Sequence, residues 1–159
     1  MLQPPAAGVR ERILSMGGFG AGKTSAWLNI AKWSQETGSD AKFYVLDTDD
    51  SVRHMMSLPG GQYNGLENVV LYEVFDWMEY VDAINAIIPV ARPYLDWIIV
   101  DFMGASWDAA QEYYVGMRYK AEDMGQYFMD QAVAASSKAP LDGWKDWSVI
   151  NKIYKSFQN

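Results

Sequence analysis

The stretch from Ser15 to Trp27, SMGGFGAGKTSAW, decides how the rest of the chain is read. It places Gly17, Gly18, Gly20 and Gly22 within six positions, a density that weakens either a helix or a strand. With Phe19, Ala21, Lys23 and Thr24 they match the spacing G-x-x-x-x-G-K-[ST]. Composition alone produces that match in fewer than roughly one in a hundred chains of this length, so it calls for a mechanism. Glycines let consecutive backbone N–H groups turn inward as an anion-binding nest, and a helix beginning near Lys23 adds the positive end of its dipole. In this reading Lys23 reaches the β- and γ-phosphates of a nucleotide, the Thr24 hydroxyl ligates Mg²⁺, and Ser25 completes the binding set. The alternative is a glycine-rich loop that happens to precede Lys-Thr. No G-x-G-x-x-G spacing can be drawn through the same glycines, so this is not the dinucleotide fingerprint.

The surrounding chain sets the bounds. At 159 residues and 18.0 kDa it fits one domain, residues 1–159, able to bury most of its apolar surface. Half of it is hydrophobic, with 7 Trp and 10 Tyr, a composition that folds. The absence of cysteine excludes disulfide frameworks and Cys-ligated zinc and fits a reducing, cytoplasmic compartment. A net charge of −7 disfavours a surface that grips phosphate backbones throughout. No window approaches the run of ~18 apolar residues that a membrane span requires, so no membrane partner is expected.

Four apolar runs predict strands: RILSMG (12–17), AKFYVLDTDD (41–50), NVVLYEV (68–74) and LDWIIVDF (95–102). Between them, 23–38 predicts a helix with Trp27, Ile30, Ala31 and Trp33 near helical spacing, and 76–93 one with Trp77, Val81, Ile84, Ile87 and Ile88 on one face. The alternation predicts an α/β fold with a mostly parallel sheet. Beyond Asp101, Met103, Trp107, Ala110, Tyr114, Met117, Ala121, Met124 and Phe128 predict a long amphipathic helical segment over 103–135, interrupted by Gly104, Gly116 and Gly125. Such a stripe reads as core or partner interface before it reads as a cofactor box. Residues 136–143 read as a linker. A last helix over 144–157 carries Val149, Ile150, Ile153, Tyr154 and Phe157 on one face.

A bound nucleotide needs a second group to hold Mg²⁺, and WIIVDF supplies Asp101 after four apolar residues, in the form of a Walker B strand. Hydrolysis needs a group that orients water. Phe102 occupies the place after Asp101 where many ring ATPases carry Glu, which leaves the acids of DTDD: Asp47, Asp49 and Asp50 at the carboxyl edge of the sheet. Asp49 is the candidate base. The plainer reading is a solvated turn in which Asp50 caps the helix at SVRHMM.

The order GGFGAGKTS, FYVLDTDD, NVVLYEV, DWIIVDF resembles the core of RecA-like ATPases. It is most similar to the small phage-encoded RecA-like nucleotide-binding proteins that include single-strand annealing recombinases. WDAAQEYY (107–114) and DWSVINKIY (146–154) also look like that group, so the resemblance spans about residues 10 to 157. It implies a P-loop NTPase with a RecA-like three-layer sandwich, ATP and Mg²⁺ as cofactors, and single-stranded DNA and self-association as partners. The family's catalytic carboxylate carries over onto Asp49, where the usual residue is Glu and Asp is one methylene shorter. RecA-like domains also insert a further strand between the phosphate-loop and Walker B strands. The resemblance therefore implies that the 159 residues are a fragment, incomplete at the C-terminus, or a shortened protein whose sheet closes differently.

Other residues carry weaker signals. His54 is the only histidine and reads as a surface residue. Arg92 and Arg118 could serve as arginine fingers in an assembly, although surface ion pairing is the commoner use. Residues 138–159 mix four Lys with Trp144, Trp147, Tyr154 and Phe157, a pattern shared by single-strand binding and by ordinary helix packing. The rivals to an ATPase are a nucleotide-dependent assembly module without turnover, a small-molecule P-loop kinase, for which five arginines form no lid cluster, and a DNA-packaging motor.

Overall fold

The computed structural model describes residues 13–18, 20–120, 148–152 and 154. Chain order is α1 (Lys23–Glu36), β1 (Phe43–Asp47), α2 (Ser51–Ser57), β2 (Val69–Glu73), α3 (Trp77–Ile87), β3 (Trp97–Asp101) and α4 (Met103–Tyr119). The three strands form a parallel sheet in the order β2-β1-β3. This is an α/β fold with helices on both faces of the sheet.

β1 is central because both of its faces are apolar, as expected for a strand buried on two sides. Phe43 and Val45 face Leu28 and Ala31 of α1 and Val52 of α2, with Tyr63 and Leu66 closing that cluster. Phe43 stacks on Trp97 of β3 at 6.3 Å between ring centroids. Leu46 faces the other way, onto Trp77, Tyr80, Ala83, Ile84 and Ile87 of α3 and Ala110 of α4. Tyr154 joins this second layer, edge-on to Trp107 at 5.1 Å and hydrogen-bonded to Ser106 at 2.8 Å. α3 starts on a reciprocal cap: Asp76 accepts the Glu79 N–H, and the Glu79 carboxylate accepts the Phe75 N–H, each at 2.8 Å.

Several expectations from sequence are corrected. Residues 13–17 form no strand, and Ile13, Leu14 and Met16 are 73%, 70% and 83% exposed. An apolar run becomes a strand only where a neighbour completes its ladder, and among the described residues β3 pairs with β1 alone. On α1 the buried residues are Leu28, Ala31 and Ser34, while Ile30 and Trp33 point to solvent. The small Ala31 and Ser34 let the helix approach the sheet, and Ile30 and Trp33 lie on the opposite side of the helix by its 3.6-residue repeat. α3 ends at Ile87, and Ile88 is exposed. α4 runs unbroken through Gly104 and Gly116 and buries Ala110 and Tyr114 as expected, but Met103 and Met117 are exposed. The last helix is present at 148–152 and 154, with Ile150 buried and Val149 exposed. Phe19, Ala121, Met124, Gly125, Phe128, Trp144, Trp147, Ile153, Phe157 and the 136–143 linker lie outside the described residues. No described helix is long and apolar enough to cross a membrane.

Candidate functional site

The glycine loop leads directly into α1. Gly20 and Gly22 adopt φ of +73° and +81°, a region that other residues enter at a cost of roughly 1–2 kcal/mol. The Ala21 N–H bonds back to the Gly18 carbonyl at 3.2 Å, closing the turn. Gly22 occupies the N-cap of α1, where it brings no side chain, and the first turn of the helix contains no acid. The positive end of the helix dipole is therefore uncapped and free of fixed negative charge. Lys23 folds back over the loop, its Nζ donating to the carbonyls of Gly17 and Gly18 at 3.0 Å each. A cation, a run of turned backbone and an uncapped helix N-terminus thus meet at one place, and this arrangement suits an anion.

The strand ends supply the opposite charge. Parallel pairing aligns Asp47 with Glu73 on one side and with Asp101 on the other, so three acids stand in one row at the carboxyl edge. Adjacent strands lie about 4.8 Å apart, and aligned residues of a parallel pair face the same way. The three share the face of Phe43 and Val45, the face covered by α1 and α2.

Each acid is held differently. Glu73 is exposed and accepts Nη1 of Arg53 at 2.7 Å, while Nε of the same arginine lies 3.0 Å from Asp50. Asp47 is fully buried. Its Oδ2 accepts the Arg53 N–H of α2 at 3.1 Å, and its Oδ1 is buried with no hydrogen-bond partner among the described residues. Burial pushes the Asp47 carboxyl above its ordinary value, against the lowering effect of backbone N–H groups from α2. Asp101 is 7% exposed, and its Oδ2 accepts the indole N–H of Trp27 at 2.8 Å. The backbone beside it is clamped to the end of β1. Thr48 N–H donates to the Asp101 carbonyl at 2.9 Å, and the Thr48 hydroxyl accepts from Phe102 N–H at 2.8 Å and donates to the Phe102 carbonyl at 3.0 Å.

The Trp27 contact relates the loop to Asp101. Thr24 lies three residues before Trp27, on the same helix face, and helical side chains lean toward the preceding turn. Asp101 accordingly lies against the face of α1 that presents Thr24. Among the described residues no three His, Cys, Asp or Glu side chains gather as a metal cage. Mg²⁺ does not require one, since it keeps several waters and takes one or two protein oxygens, and a hydroxyl with a carboxylate is a suitable donor set.

Asp49 is exposed at the same edge, its Oδ1 accepting the Ser51 N–H at 3.1 Å in a local turn. Asp50 does not cap α2 with its side chain; it adopts φ +60°, and Asp47 fills that role from the strand. His54 is exposed on α2. Arg92 is engaged at the other end of the sheet by Asp96 and Asp40, at 2.7 and 2.8 Å. Arg118 lies over the Tyr119 ring at 5.7 Å.

Comparison with protein-family models, with curated proteins and with solved structures finds no match for this chain. Sequence reasoning named Asp47 among the edge acids without seeing that it is the one turned into the core, and it overlooked Glu73 and the role of Trp27. The alternation of Phe43, Val45 and Asp47 on one face was the available signal for the first. Trp27 gave none, because a tryptophan on a core-facing stripe reads as packing until its N–H partner is known.

Proposed function

We propose that this chain is a P-loop NTPase of RecA-like type that binds ATP with Mg²⁺ and hydrolyses it, in the setting of phage DNA recombination, repair or replication. One observation carries the reading: the Lys23 ammonium sits over a turned glycine backbone at the uncapped start of α1, with the Trp27-tied Asp101 against the same helix. The phage setting rests on the resemblance of the motif order GGFGAGKTS, FYVLDTDD, NVVLYEV, DWIIVDF, together with WDAAQEYY and DWSVINKIY.

In this reading Lys23 exchanges the Gly17 and Gly18 carbonyls for phosphate oxygens, and the loop N–H groups from Gly17 to Ser25 hold the remaining ones. Thr24 and Asp101 hold Mg²⁺, which, when bound, supplies positive charge against the phosphate oxygens. Asp49 orients water; the water oxygen bonds to the γ-phosphorus as the bond to the β–γ bridging oxygen breaks, leaving ADP and phosphate. The Ser51 N–H already fixes one oxygen of the Asp49 carboxylate. Little covalent chemistry is asked of the side chains, so position and charge carry the acceleration.

The exposed Met103 and Met117 of α4 favour a second reading, a module that binds ATP to switch an assembly interface without turnover. The experiment is ATP hydrolysis by the wild type and by Asp49→Ala, each with and without single-stranded DNA, beside nucleotide binding by Lys23→Ala. Turnover stimulated by DNA and lost at Asp49 with binding intact supports the ATPase. Tight ATP binding without turnover in any condition rejects it in favour of the assembly module.

A further inference from the structure

We propose that Trp27 is a positioning residue for the cation site: its indole N–H holds Oδ2 of Asp101 so that Oδ1 is presented to Mg²⁺ or to its water shell. The inference rests on the ATP–Mg²⁺ reading of this site. A buried tryptophan N–H takes some partner, and a backbone carbonyl would serve. Trp27 instead reaches from α1 to a carboxylate at the end of β3, at the 2.8 Å of a charge-assisted bond. That is the only protein donor to the Asp101 carboxylate among the described residues, and none of them donates to Oδ1. The Asp101 backbone is fixed as well, by the clamp from Thr48. A carboxylate with one oxygen tied, the other free and its main chain held has little rotational freedom to lose on meeting a cation. The bulk of the indole packs against the cluster of Leu28, Phe43 and Val45, so the N–H is aimed by the core itself. Outer-shell donors of this kind set metal affinity by about 10–100-fold.

The test separates the N–H from the ring. Trp27→Phe removes the donor and keeps an aromatic against the core. Binding of a fluorescent ATP analogue is titrated in EDTA and then across Mg²⁺ concentrations for the wild type, Trp27→Phe, Asp101→Asn and the double variant. The expected result is unchanged affinity of Trp27→Phe in EDTA and a rise of about tenfold or more in the Mg²⁺ needed for half-saturation. The double variant should match Asp101→Asn alone, because Trp27 acts through that carboxylate. A merely structural ring would lower affinity equally in both buffers. That outcome, or an unmoved Mg²⁺ requirement, or additive losses in the double variant, overturns the inference while the nucleotide reading stands. A wild type that binds no ATP in either buffer overturns both.

Discussion

The two ends of the three strands treat charge in opposite ways. At the amino end Asp96 accepts from the backbone N–H groups of Lys42 and Arg92, both at 2.8 Å, and from two nitrogens of the Arg92 guanidinium, which also reaches Asp40. Hydrogen bonds from Arg92 are the main cause that holds the Asp96 carboxyl down to about 2, and the Arg92 guanidinium is raised in return, chiefly by Asp96. At the carboxyl end the row of Asp47, Glu73 and Asp101 is answered, among the described residues, by one guanidinium, one indole and a helix N–H, and one buried oxygen has no partner there. Complete satisfaction favours stability. Unspent hydrogen-bonding capacity beside a cationic loop favours a ligand, as open α/β sheets commonly show at this edge. The contrast predicts that breaking the Asp96–Arg92 network costs stability without touching binding, and that removing Lys23 costs binding without touching stability.

The largest expected effect tests the carboxyl end. Lys23→Ala should weaken ATP binding by about 100-fold or more, since charge-assisted bonds are worth about 1.5–3 kcal/mol each. Its melting temperature should stay near the wild-type value, because among the described residues the ammonium bonds to two exposed loop carbonyls and to no other group. Calorimetric titration and thermal unfolding together check this, and a large melting shift would erase the distinction between the two ends. Next, Asp96→Ala should destabilise the fold by on the order of 2 kcal/mol, discounted for the partly exposed arginine, with ATP affinity unchanged. Because the folded state lowers this carboxyl, its contribution is full above the ordinary value of 3.8 and is lost as pH falls through about 2. Urea unfolding should therefore show the variant and the wild type converging in strong acid.

Asp47 carries the opposite sign. The folded state raises its carboxyl, so the stability linked to it is full below 3.8 and is lost as pH rises through the raised folded value. Asp47→Asn keeps an oxygen for the Arg53 N–H and removes the ionisation. It should be more stable than the wild type at pH 8 and indistinguishable near pH 3, by the same urea measurement. The smallest effect compares backbones. Tyr94 at the amino end and Asp50 at the carboxyl end both sit at positive φ, 67° and 60°. Tyr94→Gly should gain up to about 1 kcal/mol, whereas Asp50→Gly should gain less because it also gives up the Arg53 pair.

The strands from Phe43, Val69 and Trp97 onward were legible because β-branched and aromatic runs bounded by polar turns encode their own extent. The apolar run read at 12–17 was expected to behave likewise, yet residues 13–17 form no strand, since pairing depends on a neighbour that local sequence does not specify. Helices were legible and their faces less so. Ile30 and Trp33 drew attention as the large apolar residues of α1, yet close packing selected Leu28, Ala31 and Ser34. The glycine loop announced itself because its geometry demands particular residues. The link from Trp27 to Asp101 joins segments 74 residues apart that meet only when α1 settles on the sheet, and it left no mark in either segment alone.

The shared register of the three acids also bears on how the chain finds its fold. Side chains alternate along a strand, so a slip of one residue in β2 or β3 would turn Glu73 or Asp101 toward the layer of Leu46, Trp77 and Ile84. A carboxylate driven into that layer without a partner is costly enough to make the slipped pairing a poor competitor. The row of acids thus adds an energetic penalty against misaligned sheets to the hydrophobic pattern that favours the observed register.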